Sequence, residues 1–170
     1  AILADVSEAT ALAETVQNAA TFSRAIMDTV AGLIVVLDKN GSISRLNRAA
    51  LLTLESNGVD PADWLGESYV GLIRTAFYLP SGGHELASNV RELVAGTRRQ
   101  FDLDLSVQLE VGSRWFHIVA RTMEGSDQGF VISHRDITAR KVQEDSLRKQ
   151  AQRDPLTGLA NRAGLSDRLL

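Results

Sequence analysis

The chain has 170 residues, 44% of them hydrophobic and 23% charged, with a formal net charge of −3. That length and make-up suit one ordinary globular domain, or a smaller one with appendages. The slightly acidic balance argues against a nucleic-acid binder, and the absence of cysteine excludes disulfides, thiolate catalysis, zinc–thiolate sites and flavin photochemistry through a cysteine adduct.

Residues 2–30 contain neither Pro nor Gly and read as one long helix. Val6, Ala9, Ala13, Val16, Ala20, Ser23, Met27 and Val30 alternate spacings of three and four, and a second register through Leu12, Ala19 and Ile26 works as well. The apolar stripe is broad and rich in alanine. A helix this long leaves its far turns bare unless something covers them. Pairing with a second copy is therefore expected, with Val6, Val16, Met27 and Val30 at the contact. Packing on its own domain is the alternative.

Leu33–Leu37 is an apolar run with the look of a buried strand. It is far too short to cross a bilayer, which takes about 20 residues. Asp38-Lys39-Asn40-Gly41 is a turn signal, and Ser42–Leu46 completes a hairpin. Asn47 can cap a short helix carrying Leu51, Leu52 and Leu54, stopped by Asn57-Gly58. Short helical turns follow around Trp64 and Tyr69–Phe77, then a Pro80–Gly83 loop. An amphipathic helix runs from Glu85 with Leu86, Val90, Leu93 and Val94 on one face, and Gly96 ends it.

Three strands come next. Phe101, Leu103, Leu105 and Val107 alternate with Asp102, Asp104 and Ser106. Phe116, Ile118 and Ala120 alternate with Trp115, His117 and Val119, and Phe130–Ile132 lies in the last strand. Turns are expected at Val111–Ser113 and Gly125–Asp127. A polar helix starts near Thr138 and runs to about Arg153, with Val142, Leu147 and Ala151 as its apolar anchors, and Pro155 marks its end. The order predicts an α+β fold: a five-stranded, mainly antiparallel sheet with short helices on one face, a long N-terminal helix and a C-terminal linker helix. Apolar residues on both faces of the first strand, and around Trp115 and Val119, imply a cover for the second face, either the N-terminal helix or a second subunit.

Gly32–Gly41, Asn47-Arg48-Ala49-Ala50, Trp64-Leu65-Gly66-Glu67-Ser68, Arg114-Trp115-Phe116 and Ser133-His134-Arg135-Asp136-Ile137-Thr138 resemble, in that order, the successive segments of a PAS domain. The resemblance covers about residues 26–138. It implies a sensory module in which Asp136, Ile137 and Thr138 form the junction with an output helix. Asp154-Pro155-Leu156-Thr157-Gly158-Leu159-Ala160-Asn161-Arg162 resembles the opening of a GGDEF domain, the diguanylate cyclase module of bacterial cyclic di-GMP signalling. The signature and metal-binding carboxylates of that family would lie beyond Leu170, so this chain is expected to show no turnover of its own. The expected organisation is an N-terminal dimerising helix over 1–28, a PAS-like domain over 29–138, a linker helix over 139–153 and the start of a GGDEF domain over 154–170.

Tyr69, Arg74, Tyr78, His84 and Phe116 fall where PAS domains form a ligand cavity, a few polar groups in an apolar setting that could orient a small molecule. Arg74 could hold a carboxylate or phosphate; a surface Arg lying over the core is the plainer reading. His84 starts the main ligand-side helix, the region from which haem-binding relatives offer an axial histidine, although a solvent-facing His after Ser-Gly-Gly is commoner. The cofactor stays unknown. A haem or flavin redox sensor, or a dimerisation module with no ligand, is the alternative to a ligand sensor. His84, His117 and His134 show no metal-ligand spacing. His134-Arg135-Asp136 spells a kinase tripeptide without the kinase context, so kinase activity is excluded. The expected setting is a homodimer in the cytoplasm with no membrane insertion by this segment, within a parent that an upstream segment could tether to the inner membrane.

Overall fold

The computed structural model describes residues 2–76, 82–109, 112–124 and 129–152, with backbone alone for 2–10, 76 and 109. The elements in order are α1 (Ile2–Thr29), β1 (Leu33–Leu37), β2 (Ile43–Leu46), α2 (Arg48–Ser56), a 3-10 turn (Pro61–Asp63), α3 (Tyr69–Ala76), α4 (Gly83–Val94), β3 (Gln100–Leu109), β4 (Gly112–Thr122), β5 (Phe130–Asp136) and α5 (Thr138–Ala151). The five strands form one antiparallel sheet in the order β2-β1-β5-β4-β3. This is the expected α+β architecture, with β5 at its centre.

Local chemistry explains the first hairpin. Asp38 Oδ1 accepts from the N–H groups of Asn40 and Ser42, both at 2.9 Å, and Gly41 takes φ +84° to close the turn. The edge strand β2 is not left bare. Ile43 N–H donates to the Glu67 carbonyl at 2.9 Å and Gly66 N–H to the Ile43 carbonyl at 2.8 Å, so the stretch before α3 shields it.

The helices α2, α3 and α4 bury their apolar faces on one side of the sheet. Leu54, Ile73, Leu86, Val90 and Leu93 meet Val35, Leu37, Phe101, Leu105, Ile118 and Ile132 in one core. Val94, expected on that face of α4, is 39% exposed. On the other face, one of the two expected covers, the N-terminal helix, is not in place. From residue 11 to residue 30, Met27 is the one residue of α1 and its exit that is not exposed. Leu12 is 66%, Val16 61% and Phe22 69% exposed, so α1 stands away from the sheet and does not cover it. Ile34 and Val36 on the outer face are nonetheless buried, paired in register with Ser133 and Val131 on β5 and, for Val36, with Arg45 on β2. The expected turn at Gly125–Asp127 lies outside the described residues.

Candidate functional site

Strand alternation places Phe130, Ile132 and His134 of β5 on the inner face. His134 stands opposite Leu33 of β1 and Ile118 of β4. Tyr69, the first residue of α3 and 1% exposed, reaches it from the helical layer. Tyr69 Oη lies 2.7 Å from His134 Nε2, and the rings are 5.9 Å apart, tilted at 49°. His134 Nδ1 lies 3.4 Å from the Leu33 carbonyl. One tautomer satisfies both contacts: Nδ1–H donates to Leu33, and Nε2 accepts from the Tyr69 hydroxyl. Burial disfavours the imidazolium and pushes His134 down to about 4, against a smaller opposing pull from the Leu33 carbonyl. Burial likewise pushes the Tyr69 hydroxyl up. Both groups are therefore neutral at pH 7.

The second cluster is the root of α5. Ile137 is buried, and its N–H donates to the Trp115 carbonyl at 2.8 Å. The Thr138 hydroxyl accepts from Trp115 N–H at 2.9 Å, and Asp136 Oδ1 accepts from Thr138 N–H at 2.9 Å. The sequence marks Asp136 and Thr138 alike as junction residues at the start of the output helix. The structure divides the roles: Asp136 takes a free helix N–H, whereas Thr138 is the first helical residue and turns its hydroxyl to β4. Arg114 reaches the other Asp136 oxygen at 3.3 Å. Burial alone would raise the Asp136 carboxyl, but the bonds from Thr138 and the Arg114 charge together hold it below the usual carboxylate range.

One turn further, Lys141 Nζ sits 2.7 Å from Asp104 Oδ2 on β3 and 5.3 Å above the Trp115 ring. Arg140 is 3.7 Å from the same carboxylate, and His117 Nδ1 is 2.8 Å from its other oxygen. The Lys141 hydrogen bond holds Asp104 below the usual range, against some burial and with help from His117. A groove of about 660 Å³ opens between α5 and the start of β4, lined by Ser113, Trp115, Lys141 and Val142 among others. These contacts fasten the first turn of α5 to β3 and β4 and set the direction in which the helix leaves.

The residues expected around a ligand cavity are not brought together as a set. Tyr69 lies in the core with its hydroxyl engaged by His134, and Phe116 is half-buried against that core. Arg74 is exposed on α3, in keeping with the plainer reading, and Tyr78 lies outside the described residues. His84 is exposed on the first turn of α4. An axial haem ligand has to face the interior, and His84 does not. Among the described residues no three His, Asp or Glu side chains gather as a metal site. Of the expected contact residues of α1, Val16 and Val30 are exposed. Met27 is half-buried against its own domain, and the Val6 side chain lies outside the described residues.

Sequence reasoning missed three features. His134 was read as part of the junction segment, as a histidine without metal spacing and as part of a tripeptide, but not as a core residue, although the two-residue period Phe130, Ile132, His134 points it inward. Asn47 was read only as a helix cap. Asp104 was read only as an outward polar residue, although it lies directly opposite His117 in the β3–β4 register.

The family described as PAS fold matches residues 27–142. A 104.1 kDa uncharacterised protein of Rhodobacter capsulatus is 29% identical over 120 residues, covering 68% of this chain and 12% of that protein. The cyclic di-GMP phosphodiesterase PdeR of Escherichia coli K12 is 26% identical over 163 residues, covering 92% of this chain and 23% of that protein. The chain thus spans only a small part of either relative. Among solved structures, the PAS domain of Bordetella pertussis BvgS superposes with TM-score 0.55 at 22% identity, covering 79% of this chain and 98% of that one. The PAS domain of an HTR-like protein from Haloarcula marismortui gives TM-score 0.53 at 17% identity, covering 75% and 99%. No helix among the described residues is long and apolar enough to cross a membrane. With its five-stranded antiparallel sheet, its helices on one face and a family match over most of its length, the chain belongs to the PAS-fold family of sensory modules.

Proposed function

We propose that this domain is the regulatory sensory and dimerisation module of a cyclic di-GMP signalling protein, and that it acts through α5 on a diguanylate cyclase domain beginning near Asp154. The observation that carries the reading is the fastening of α5. Asp136, Ile137 and Thr138 bond to one another and to Trp115, and Lys141 bonds to Asp104, so the sheet dictates the helix direction. A change in the end of β4 or β5 must then re-aim whatever follows α5. The likeness of residues 154–162 to the start of a GGDEF domain, and the similarity to a phosphodiesterase of cyclic di-GMP, support the choice of output. A signal shifts the output only as far as it binds the two helix settings differently. The exposed apolar face of α1 supports assembly as a homodimer.

A ligand-free relay is the second reading. It is favoured by the Tyr69 hydroxyl, which is already engaged by His134 rather than open to a guest. The test of the main reading is Asp136→Ala and Thr138→Ala in the full-length protein. Losing a helix-end bond costs about 0.5–2 kcal/mol, within the stability of a domain of this kind. Folding should survive while the rate of cyclic di-GMP production changes severalfold. An unchanged rate in both variants would refute the proposal.

A further inference from the structure

The β1 side of the inner polar cluster is pinned. Asn47 is 1% exposed and uses its whole amide. Nδ2 donates to the Met27 and Gly32 carbonyls at 3.2 and 3.0 Å, and Oδ1 accepts from Ile34 and Ala50 N–H at 2.9 and 3.0 Å. Asp28 Oδ1 accepts from Arg48 N–H at 2.7 Å. The first residues of β1 are thereby gripped between the end of α1 and the start of α2. Leu33, between two of those gripped residues, offers its carbonyl to His134.

The α3 side is tied at its start, where Tyr69 N–H donates to the Gly41 carbonyl at 3.2 Å. This helix has eight residues; Tyr69 and Ile73 are buried, while Gly71, Arg74 and Thr75 are exposed. His134 therefore spans from the Leu33 carbonyl of β1 to the hydroxyl of the first residue of α3. It is also the last residue of β5 paired on both sides. Pairing with β1 ends at His134, and Arg135 and Asp136 are held by β4 alone. The strand end that carries the α5 root is paired on one side alone, and it begins where Tyr69 takes hold.

We propose that the Tyr69–His134 hydrogen bond is a coupling contact: it transmits the position of α3 to the singly paired end of β5 and so sets how α5 is seated. This inference rests on the reading of α5 as the output helix. With β1 immobilised by Asn47, a shift of α3 that pulls on His134 is relieved toward Asp136, two residues on and about 7 Å away along the strand. A purely apolar contact at Tyr69 would keep α3 packed but give it no directional grip on that strand.

The test is hydrogen exchange on this chain, with four amides as reporters of the α5 root: Trp115, Ile137, Thr138 and Lys141. Tyr69→Phe keeps the ring and removes the hydroxyl. It should speed exchange at the reporters by about two- to tenfold, the range for one lost hydrogen bond, and by clearly more than at Val36 and Val131 on the inner strands β1 and β5. His134→Leu removes the same bond from the other side and should speed the same four. An equal increase everywhere would show a merely structural role and overturn the proposal, as would unchanged reporters. Asp136→Ala is the reference variant. If it loosens the reporters while Tyr69→Phe does not, the coupling fails alone. If Asp136→Ala leaves them unchanged, the reading of the junction falls with it.

Discussion

His134 makes this domain sensitive to mild acid in a way that can be worked out beforehand. An unfolded histidine titrates near the ordinary value of 6.5, whereas the folded one is pushed down to about 4 by burial. Between those values the unfolded chain binds the extra proton and the folded chain does not, so stability is full above about 6.5 and falls as pH drops toward 4. A gap of this size corresponds to about 3 kcal/mol at most. His134 is only half-buried, so water takes part of that back, and about 2 kcal/mol is expected by pH 4.5. His134→Gln removes the titration. It also weakens the domain at neutral pH by about 1–3 kcal/mol, since a buried hydrogen-bonding group loses its fitted partner. The useful quantity is therefore the loss between pH 7.5 and pH 4.5 within each protein, read from urea unfolding (roughly the span that brackets the titration). Wild type should lose about 2 kcal/mol more over that span than His134→Gln. Asp104 and Asp136, held below the usual carboxylate range, lose their contributions at lower pH still, and do so in both proteins. Equal losses in the two proteins would refute the account of a neutral, desolvated His134.

Two further outcomes follow from the helices. Val16→Glu with Phe22→Glu puts charge on the most exposed part of α1, and sedimentation should show the dimer lost while the thermal melt of the domain is retained; a wild type that sediments as a monomer at tens of micromolar (roughly the range of such runs) would end the dimer proposal. Asn47→Ala strands the Ile34 and Ala50 N–H groups away from water and should cost about 3 kcal/mol or more in urea unfolding, against about 1 kcal/mol for an ordinary lost helix cap.

Much of the fold is legible in the residues because period and punctuation agree. The alternation through Phe101–Val107 and Phe116–Ala120, and the Asn-Gly turn, locate strands that the structure contains. What was not legible depends on pairing between distant segments. Tyr69 and His134 are 65 residues apart, and no local pattern indicates that a helix start and a strand end will share a proton. Asn47 shows the same limit: its cap on Ala50 is local and readable, whereas its grip on Met27 spans 20 residues. Of the two covers expected over the outer face, α1 is not one, since its residues from 11 to 26 are exposed. Apolar character on both sides of β1 pointed to a second buried face, and Ile34 and Val36 are buried there, opposite Ser133 and Val131 of β5. The Asp104–Lys141 contact sits between a strand and a helix that the sequence treats as separate polar surfaces.

The exposed α1 has a mechanical consequence. At 28 residues it is about 42 Å long, and its inner end is clamped within one turn by Asn47 and Asp28. Within this chain the described residues hold the rod at its base, and a rod so held magnifies small rotations. A tilt of about 10° at that clamp sweeps the far tip through about 7 Å, more than the pitch of a helix. The same leverage runs in reverse. A modest sideways push at the tip returns to Asn47 as a large torque on the first residues of β1, beside the strand from which α5 departs.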